Sequence, residues 1–322
     1  MLRVRDESMM MNLRKAAVIG CGFVGSASAF ALMQSGLFSE IVLVDVDHDR
    51  AEGEALDIAH GMPLAKPVQI YAGDYDDATD AAVIIVTAGA SQKPGETRLD
   101  LVKKNAAIFK SIMPEFAKRH CKGIMLVVSN PVDILTYAAA KYSGMPVNRV
   151  IGSGTVLDSA RLKYLLSEHL SVDSRSIHAY IIGEHGDSEF AAWSSANVSG
   201  VPIYDFCKMR GHTHFEKASQ EIEANVRNSA YEIIKRKHAT YYGIAMAVKR
   251  ICEAVIRDEK SVLPVSSVMK DVYGVEDVAL SMPAIVGKDG IEDLIPVCLD
   301  VSEQRKLRES ASVLREVINE VL

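Results

Sequence analysis

The sequence predicts an α/β chain, a doubly wound parallel sheet followed by a C-terminal α+β half. Three observations carry that expectation. Short apolar runs end in turns and alternate with helix-like segments through the first half. Such runs, apolar at successive positions, suit parallel strands buried on both faces. The βαβα rhythm implies right-handed crossovers with helices on both sides of the sheet. After about residue 150 the rhythm gives way to long helical segments and strands of antiparallel character.

Taken in order, residues 1–12 read as a tail, with consecutive methionines at 9, 10 and 11 and no periodic pattern. Ala16–Gly20 is a strand ending in glycine, and Val24–Gln34 has helical composition. Ile41–Val44 is a second strand stopped by Asp45, and His48–His60 a second helix. Val68–Tyr71 and Val83–Val86 are strands, Asp100–Arg119 is an amphipathic helix, and Ile124–Val128 is a strand closed by Ser129-Asn130-Pro131. In the second half, Ser153–Leu170, Phe215–Lys237, Thr240–Arg257 and Ser302–Leu322 read as helices. Ile177–Ile182, Ser261–Tyr273 and Ala284–Val286 read as strands. The expected organisation is a tail at 1–12, a dinucleotide-binding domain at 13–152 and a substrate domain at 153–322, closely packed because no low-complexity linker separates them.

Composition narrows the function. The chain has 322 residues, 48% hydrophobic and 24% charged, with a formal net charge of -6 and no block of like charges. That argues against a nucleic-acid-binding domain or a membrane-surface helix. No apolar run approaches the ~18 residues of a membrane span, and the first eleven residues lack the apolar core of a signal peptide. The five cysteines are scattered and form no C-x-x-C pair, so disulfides and structural zinc are not expected; the expected compartment is the reducing cytosol.

Gly20-Cys21-Gly22-Phe23-Val24-Gly25 follows the first strand and opens the first helix. Gly20 permits the tight turn, Gly22 lets a pyrophosphate approach, and Gly25 lets helix and strand pack closely, which is the dinucleotide-binding Rossmann pattern. Asp45 lies twenty residues beyond Gly25 at a strand end. A carboxylate there accepts hydrogen bonds from ribose hydroxyls and repels a 2′-phosphate, so NAD is favoured over NADP. His185 stands between Glu184 and Gly186 in a glycine-flanked turn, and near neutral pH it can give or take a proton. A single histidine reads equally well as structural. His60, His120 and His169 take the structural reading, and His212 and His214 read as exposed loop residues with no third ligand for a metal. Asp158 and Arg161 share a helix face; alone they read as an ordinary ion pair. Gly89–Arg98 is a Gly/Pro-rich loop after a strand, able to close over a substrate and carry Arg98 with it.

Together, GCGFVG, LVDVD, TAGASQKPGETRLDLV, SNPVD, VIGSGTVLDSARL, YIIGEHGDSE and KHATYYGIA resemble the bacterial-type L-lactate dehydrogenase family over nearly the whole chain from Met11 onward. The resemblance implies reversible NAD-dependent reduction of pyruvate to (S)-lactate. His185 would be the proton donor and acceptor, Asp158 its carboxylate partner, Arg161 the clamp on the substrate carboxylate, and Arg98 the loop residue that polarises the carbonyl. Asn130, Asp133 and Thr240 join the implied substrate-binding set. Implied cofactor contacts are Gly20, Gly22, Val24, Gly25, Asp45, Arg50, Tyr75, Gly89, Ala90, Ser111, Val128, Ser129, Asn130 and Ser153. Arg50 reaches the cofactor only if its helix follows Asp45 closely. Pro131 is a candidate for a cis bond.

Gln92 stands where the related malate dehydrogenases typically carry an arginine that pairs a second carboxylate. One lost ion pairing at about 4 Å and an effective dielectric of ~20 costs about 4 kcal/mol, or about three decades in selectivity. A monocarboxylate such as pyruvate therefore fits best. The family also implies a homotetramer and, in many bacterial members, activation by fructose 1,6-bisphosphate at a site pairing an arginine with a histidine. His178 matches the histidine, but Lys163 stands at the other position and keeps the charge without the bidentate fork. Competing readings are a malate or bulkier 2-hydroxy acid dehydrogenase, a non-catalytic NAD-binding sensor, and an NAD-dependent glycoside hydrolase. The sensor should lack some of His185, Asp158, Arg161 or Arg98, and the hydrolase should show a metal-binding Cys/His pair.

Overall fold

In the computed structural model, residues 11–90, 95–212 and 214–322 are described, with the side chain of Arg98 left aside. Six parallel strands form the first half: β1 (Asn12–Ile19), β2 (Glu40–Val44), β3 (Gln69–Ala72), β4 (Ala81–Val86), β5 (Ile124–Val127) and β6 (Val150–Gly152). Their order is 3-2-1-4-5-6, the doubly wound arrangement the sequence predicts. Helices α1 (Phe23–Ser35), α2 (His48–His60), α3 (Arg98–Lys118) and α4 (Val132–Tyr142) connect them.

The absence of alternation in the strands has a direct cause. In β1, Ala16 and Val18 point into one apolar cluster with Leu32 and Ile251, while Ala17 and Ile19 point into the other with Phe109 and Phe116. Both faces are covered there, so every position from Ala16 to Ile19 is apolar. β1 begins at Asn12, before the apolar run at Ala16. Asn12 pairs with Ala81 across a register shift, and its backbone N–H donates to Asp80 at 2.7 Å. Asn12, Arg14 and Lys15 leave Leu13 isolated from the apolar run, so the strand start was hidden.

The second half contains α5 (Val156–Leu170), five short strands β7 (Ile177–His178), β8 (Ile181–Ile182), β9 (Phe190–Ala191), β10 (Asn197–Val198) and β11 (Val201–Pro202), then α6 (Ile203–Met209), α7 (Phe215–Lys237) and α8 (Tyr242–Ile256). It closes with β12 (Ser261–Val268), β13 (Ala279–Gly287), β14 (Gly290–Leu294) and α9 (Val301–Val321). The single strand expected over Ile177–Ile182 is two, β7 and β8, which pair with different partners, β10 and β9. The strands expected at 261–273 and 284–286 meet as the antiparallel pair β12 and β13.

The two halves share one sheet. β12 pairs antiparallel with β6 through Ser266 and Gly152, so β12, β13 and β14 extend the parallel sheet to nine strands. The turn out of β6 requires glycine: Gly154 has φ 51°, and a Cβ there would lie 2.5 Å from the Ser266 backbone nitrogen. This turn delays α5 to Val156, later than Ser153. No helix among the described residues is long and apolar enough to cross a membrane.

Candidate active site

The reversal of strand order puts β1 beside β4, and a crevice opens beyond their carboxyl ends. Gly20 turns the chain out of β1 with φ 100°, and a Cβ there would lie 2.6 Å from the Ala88 backbone nitrogen. At Gly25 a Cβ would meet the Gly20 carbonyl oxygen at 1.9 Å, so helix and strand touch there. Gly22 differs, because nothing lies within 4 Å of its Cβ position and its backbone faces open space. α1 starts at that glycine with no side-chain cap and no acidic residue in its first turn. Its N–H groups are therefore available to an anion.

Asp45 is held by its neighbours. Its Oδ2 accepts from the Cys21 backbone N–H at 2.5 Å, and its Oδ1 accepts from the Asp47 N–H at 3.0 Å. Asp47 caps α2 by accepting from the Arg50 N–H, so the helix follows Asp45 at once and brings Arg50 to the crevice. Gly20, Gly22, Asp45, Arg50, Tyr75, Gly89, Ala90 and Ser111 line a cleft of about 610 Å³. An open glycine backbone, an uncapped helix start and a fixed carboxylate fit a dinucleotide with free ribose hydroxyls. Val24, Gly25, Val128, Ser129 and Ser153 are not on the wall of this cleft. Val24 packs into the core, Ser129 donates its hydroxyl to the Ala88 carbonyl at 2.6 Å, and the buried Ser153 donates its N–H to Val127.

A second cavity of about 310 Å³ lies past the end of β5. Asn130, Asp158, Arg161, His185, Glu189 and Arg227 supply its polar wall, and Leu101, Val102, Tyr231 and Ile234 its apolar wall. Asp158 and Arg161, three residues apart on α5, pair at 2.7 Å. The other oxygen of Asp158 meets His185 Nδ1 at 2.6 Å. Asp158 is 2% exposed as a side chain, while His185 is 26% exposed and opens on the cavity. Asp133 holds the histidine from behind, with Oδ2 accepting the His185 backbone N–H at 2.7 Å and Oδ1 accepting the Ser266 hydroxyl at 2.6 Å. Asp133 therefore sits behind the cavity wall, not on it.

The electrostatics follow from this packing. Burial opposes charge on His185, but the adjacent Asp158 raises its pKa to about 9. Burial likewise disfavours ionised Asp158, yet His185 and Arg161 keep its carboxyl below the usual range. Burial pushes Asp133 up to about 6, against its two hydrogen bonds. Glu189 rises to about 8 through burial and the charge of Asp158. The imidazole is thus held cationic by one ionised carboxylate.

Four residues of this site were not singled out by the sequence. Asn105 is buried in α3; its Oδ1 accepts the Ala90 N–H at 2.8 Å and its Nδ2 donates to the Asn130 carbonyl at 2.8 Å. It ties the loop after β4 to the loop after β5. Glu189, Arg227 and Ser266 complete the set. An asparagine on the buried face of α3, and a glutamate beginning the apolar run Phe190–Trp193, were the available signals. Among the expected residues, Gln92 and the Arg98 side chain lie outside the described residues. Thr240 is half-buried in the link between α7 and α8 and is not on the cavity wall. The Asn130–Pro131 bond is cis. Lys163 sits 5.7 Å from the centre of the Tyr180 ring, and burial lowers its pKa. His178 is exposed on β7.

Known proteins resemble the chain over this whole frame. Residues 14–152 match the model for the lactate/malate dehydrogenase NAD binding domain, and residues 155–322 match that for the lactate/malate dehydrogenase alpha/beta C-terminal domain. An L-lactate dehydrogenase of Thermoanaerobacterium saccharolyticum is 55% identical over 96% of this chain and 99% of its own. One from Acetivibrio thermocellus is 53% identical over 95% of this chain and 96% of its own. Among solved structures, a lactate dehydrogenase from a deep-sea metagenome library superposes with a TM-score of 0.93 at 46% identity, over 97% of this chain and 99% of its own. The ligand-bound minor L-lactate dehydrogenase of Enterococcus mundtii gives 0.93 at 44% identity, over 96% of this chain and 98% of its own. With both halves matched and the cleft suited to a dinucleotide, the chain belongs to the lactate/malate dehydrogenase family.

Proposed function

We propose that this chain, an NAD-dependent L-lactate dehydrogenase, reduces pyruvate to (S)-lactate with His185 as proton donor, and runs the reverse with His185 as acceptor. The observation that carries the reading is the Asp158–His185 contact at 2.6 Å, opening on a cavity that Arg161 also lines. Residues 13–152 would hold the cofactor and 153–322 the substrate machinery. The cofactor, when bound, would supply the hydride as NADH and accept it as NAD. The protein positions charge around it. Cationic His185 delivers its proton to the carbonyl oxygen as that oxygen gains charge, and ionised Asp158 fixes the tautomer and steadies the imidazolium. Arg161 pairs the substrate carboxylate through its guanidinium fork. Arg98, the first residue of α3 rather than part of the loop before it, polarises the carbonyl, and Asn130 orients it. Gln92 leaves no cation for a second carboxylate.

One observation favours a dicarboxylate instead, because Arg227 is a second guanidinium on the cavity wall. Its Nη2 is already engaged, however, with the Glu189 carbonyl at 2.9 Å and Glu223 at 3.2 Å. Pyruvate remains the better fit. A homotetramer, a cytosolic location and an effector site for fructose 1,6-bisphosphate at Lys163 and His178 complete the proposal. Free cysteines throughout agree with a reducing compartment.

The test is kcat/KM for pyruvate and oxaloacetate with NADH, with and without fructose 1,6-bisphosphate. The expected pyruvate preference is about a hundredfold or more. A preference for oxaloacetate would assign Arg227 the second carboxylate and overturn the lactate reading. A rise in activity with the bisphosphate would support Lys163 as an effector ligand, and no rise would remove that part.

A further inference from the structure

Two buried carboxyl groups face the same nitrogen of His185, and the reading above uses one of them. Asp158 hydrogen-bonds Nδ1 at 2.6 Å; Glu189 places Oε2 4.0 Å from that atom. Ligand atoms of Asp158, His185 and Glu189 all lie within 4.8 Å of one another. Glu189 is 5% exposed and forms part of the cavity wall.

The chain fixes Glu189 there. Its N–H donates to the Gly186 carbonyl at 3.2 Å, and its own carbonyl accepts from Arg227 at 2.9 Å. The next residue, Phe190, is already paired with Ile182 across β9 and β8. A glutamine would fill the same volume at no electrostatic cost, whereas two carboxylates this close in a poorly hydrated site cannot both ionise freely. The charged groups facing Glu189 are Asp158 and Arg161 from α5, His185 from its own loop and Arg227 from α7. Asp133 of α4 faces the imidazole. Asp158 has Arg161 and His185 as direct partners and keeps the negative charge. Glu189 therefore holds the proton near neutral pH and releases it in alkali.

We propose that Glu189 is a positioning residue for proton transfer: its carboxyl sets how firmly His185 keeps the proton it delivers, and so the pH range of the reaction in each direction. The inference rests on His185 being the proton donor. Once Glu189 ionises, a new negative charge stands 4.0 Å from the imidazole and holds its proton more tightly. The form competent for pyruvate reduction then persists to higher pH, and the neutral imidazole needed for lactate oxidation appears later. Arg161 and Arg227 offset part of the effect. The expected displacement is about one pH unit, the low end for an opposite charge at this range.

The experiment is kcat/KM against pH, from about 5 to 10, for pyruvate with NADH and for (S)-lactate with NAD, in the wild type and Glu189→Gln. The alkaline limb of the pyruvate profile and the acid limb of the lactate profile should both move down by about one unit. Glu189→Asp should return the limbs toward wild type. Superimposable limbs overturn the proposal, as does a uniform fall in rate without displacement, which marks a purely structural role. If Glu189→Gln does not fold, Glu189→Met is judged by the same limbs. Wild-type enzyme that fails to turn over pyruvate defeats the lactate reading itself; turnover with unmoved limbs defeats this inference alone.

Discussion

His185 hangs from two aspartates that do different work. Asp133 grips its backbone N–H and Asp158 its ring. Because the ring depends on Asp158 and the cavity, while the cofactor cleft is built from Gly20, Asp45 and their neighbours, chemistry and cofactor binding should separate on substitution. His185→Asn is expected to lower kcat for pyruvate by at least about 10³-fold, while NADH affinity, read by fluorescence titration, stays within about threefold. Retained turnover would remove His185 from the proposed mechanism. Residues such as His185, Asp158, Arg161 and Asp45 were legible because their strings are distinctive. Asn105 and Arg227 were not, because each acts across the fold on a partner 15 or more residues away; Glu189 was not, because it lies four residues from His185 in a turn, where no helical or strand period marks the two as neighbours.

Among the elements, legibility follows the strength of the pattern. α2 was readable to both ends because its apolar face is narrow and Asp47 marks its start. α4 is not legible in the sequence because Val132–Leu135, Thr136, Ala138 and Ala139 are all buried, which leaves no wide solvent-facing stripe to mark a helix. β6 is three residues long and has no period to detect. α3 begins earlier than Asp100 because Thr97 and Asp100 form a reciprocal capping box. That box anchors the helix directly behind the proposed substrate loop. Thr97→Ala is expected to cost about 1 kcal/mol, measured as a lowered urea midpoint with an unchanged slope. A midpoint that does not move would mean that the helix start is held by tertiary packing alone.

For the whole molecule, the active-site ionisations should register in stability. His185 has a folded pKa of about 9 against 6.5, so its stabilising contribution is complete below about pH 6.5 and is lost as pH rises through about 9. Glu189, raised from 4.5 to about 8, acts in the same direction: the fold prefers its proton, and stability falls as pH rises toward 8. Both slopes act between about pH 6.5 and 8, so the melting temperature should decline across that window and decline less in Glu189→Gln. A flat or rising curve would contradict the assigned protonation states. At this scale the sequence indicated two adjoining halves, but it could not show that a single pairing, Ser266 with Gly152, fuses them into one sheet.

That fusion has a mechanical consequence. A protein whose halves are joined by a flexible strap can open like a clamshell. Here the seam is the Ser266–Gly152 pairing, and Ser266 also steadies Asp133, from which the His185 backbone is suspended. Swinging one half away would break that pairing and draw Ser266 off the aspartate that holds the histidine. The position of the histidine is therefore tied to the union of the two halves, so a change that loosens the Ser266–Gly152 pairing is expected to disturb His185 as well.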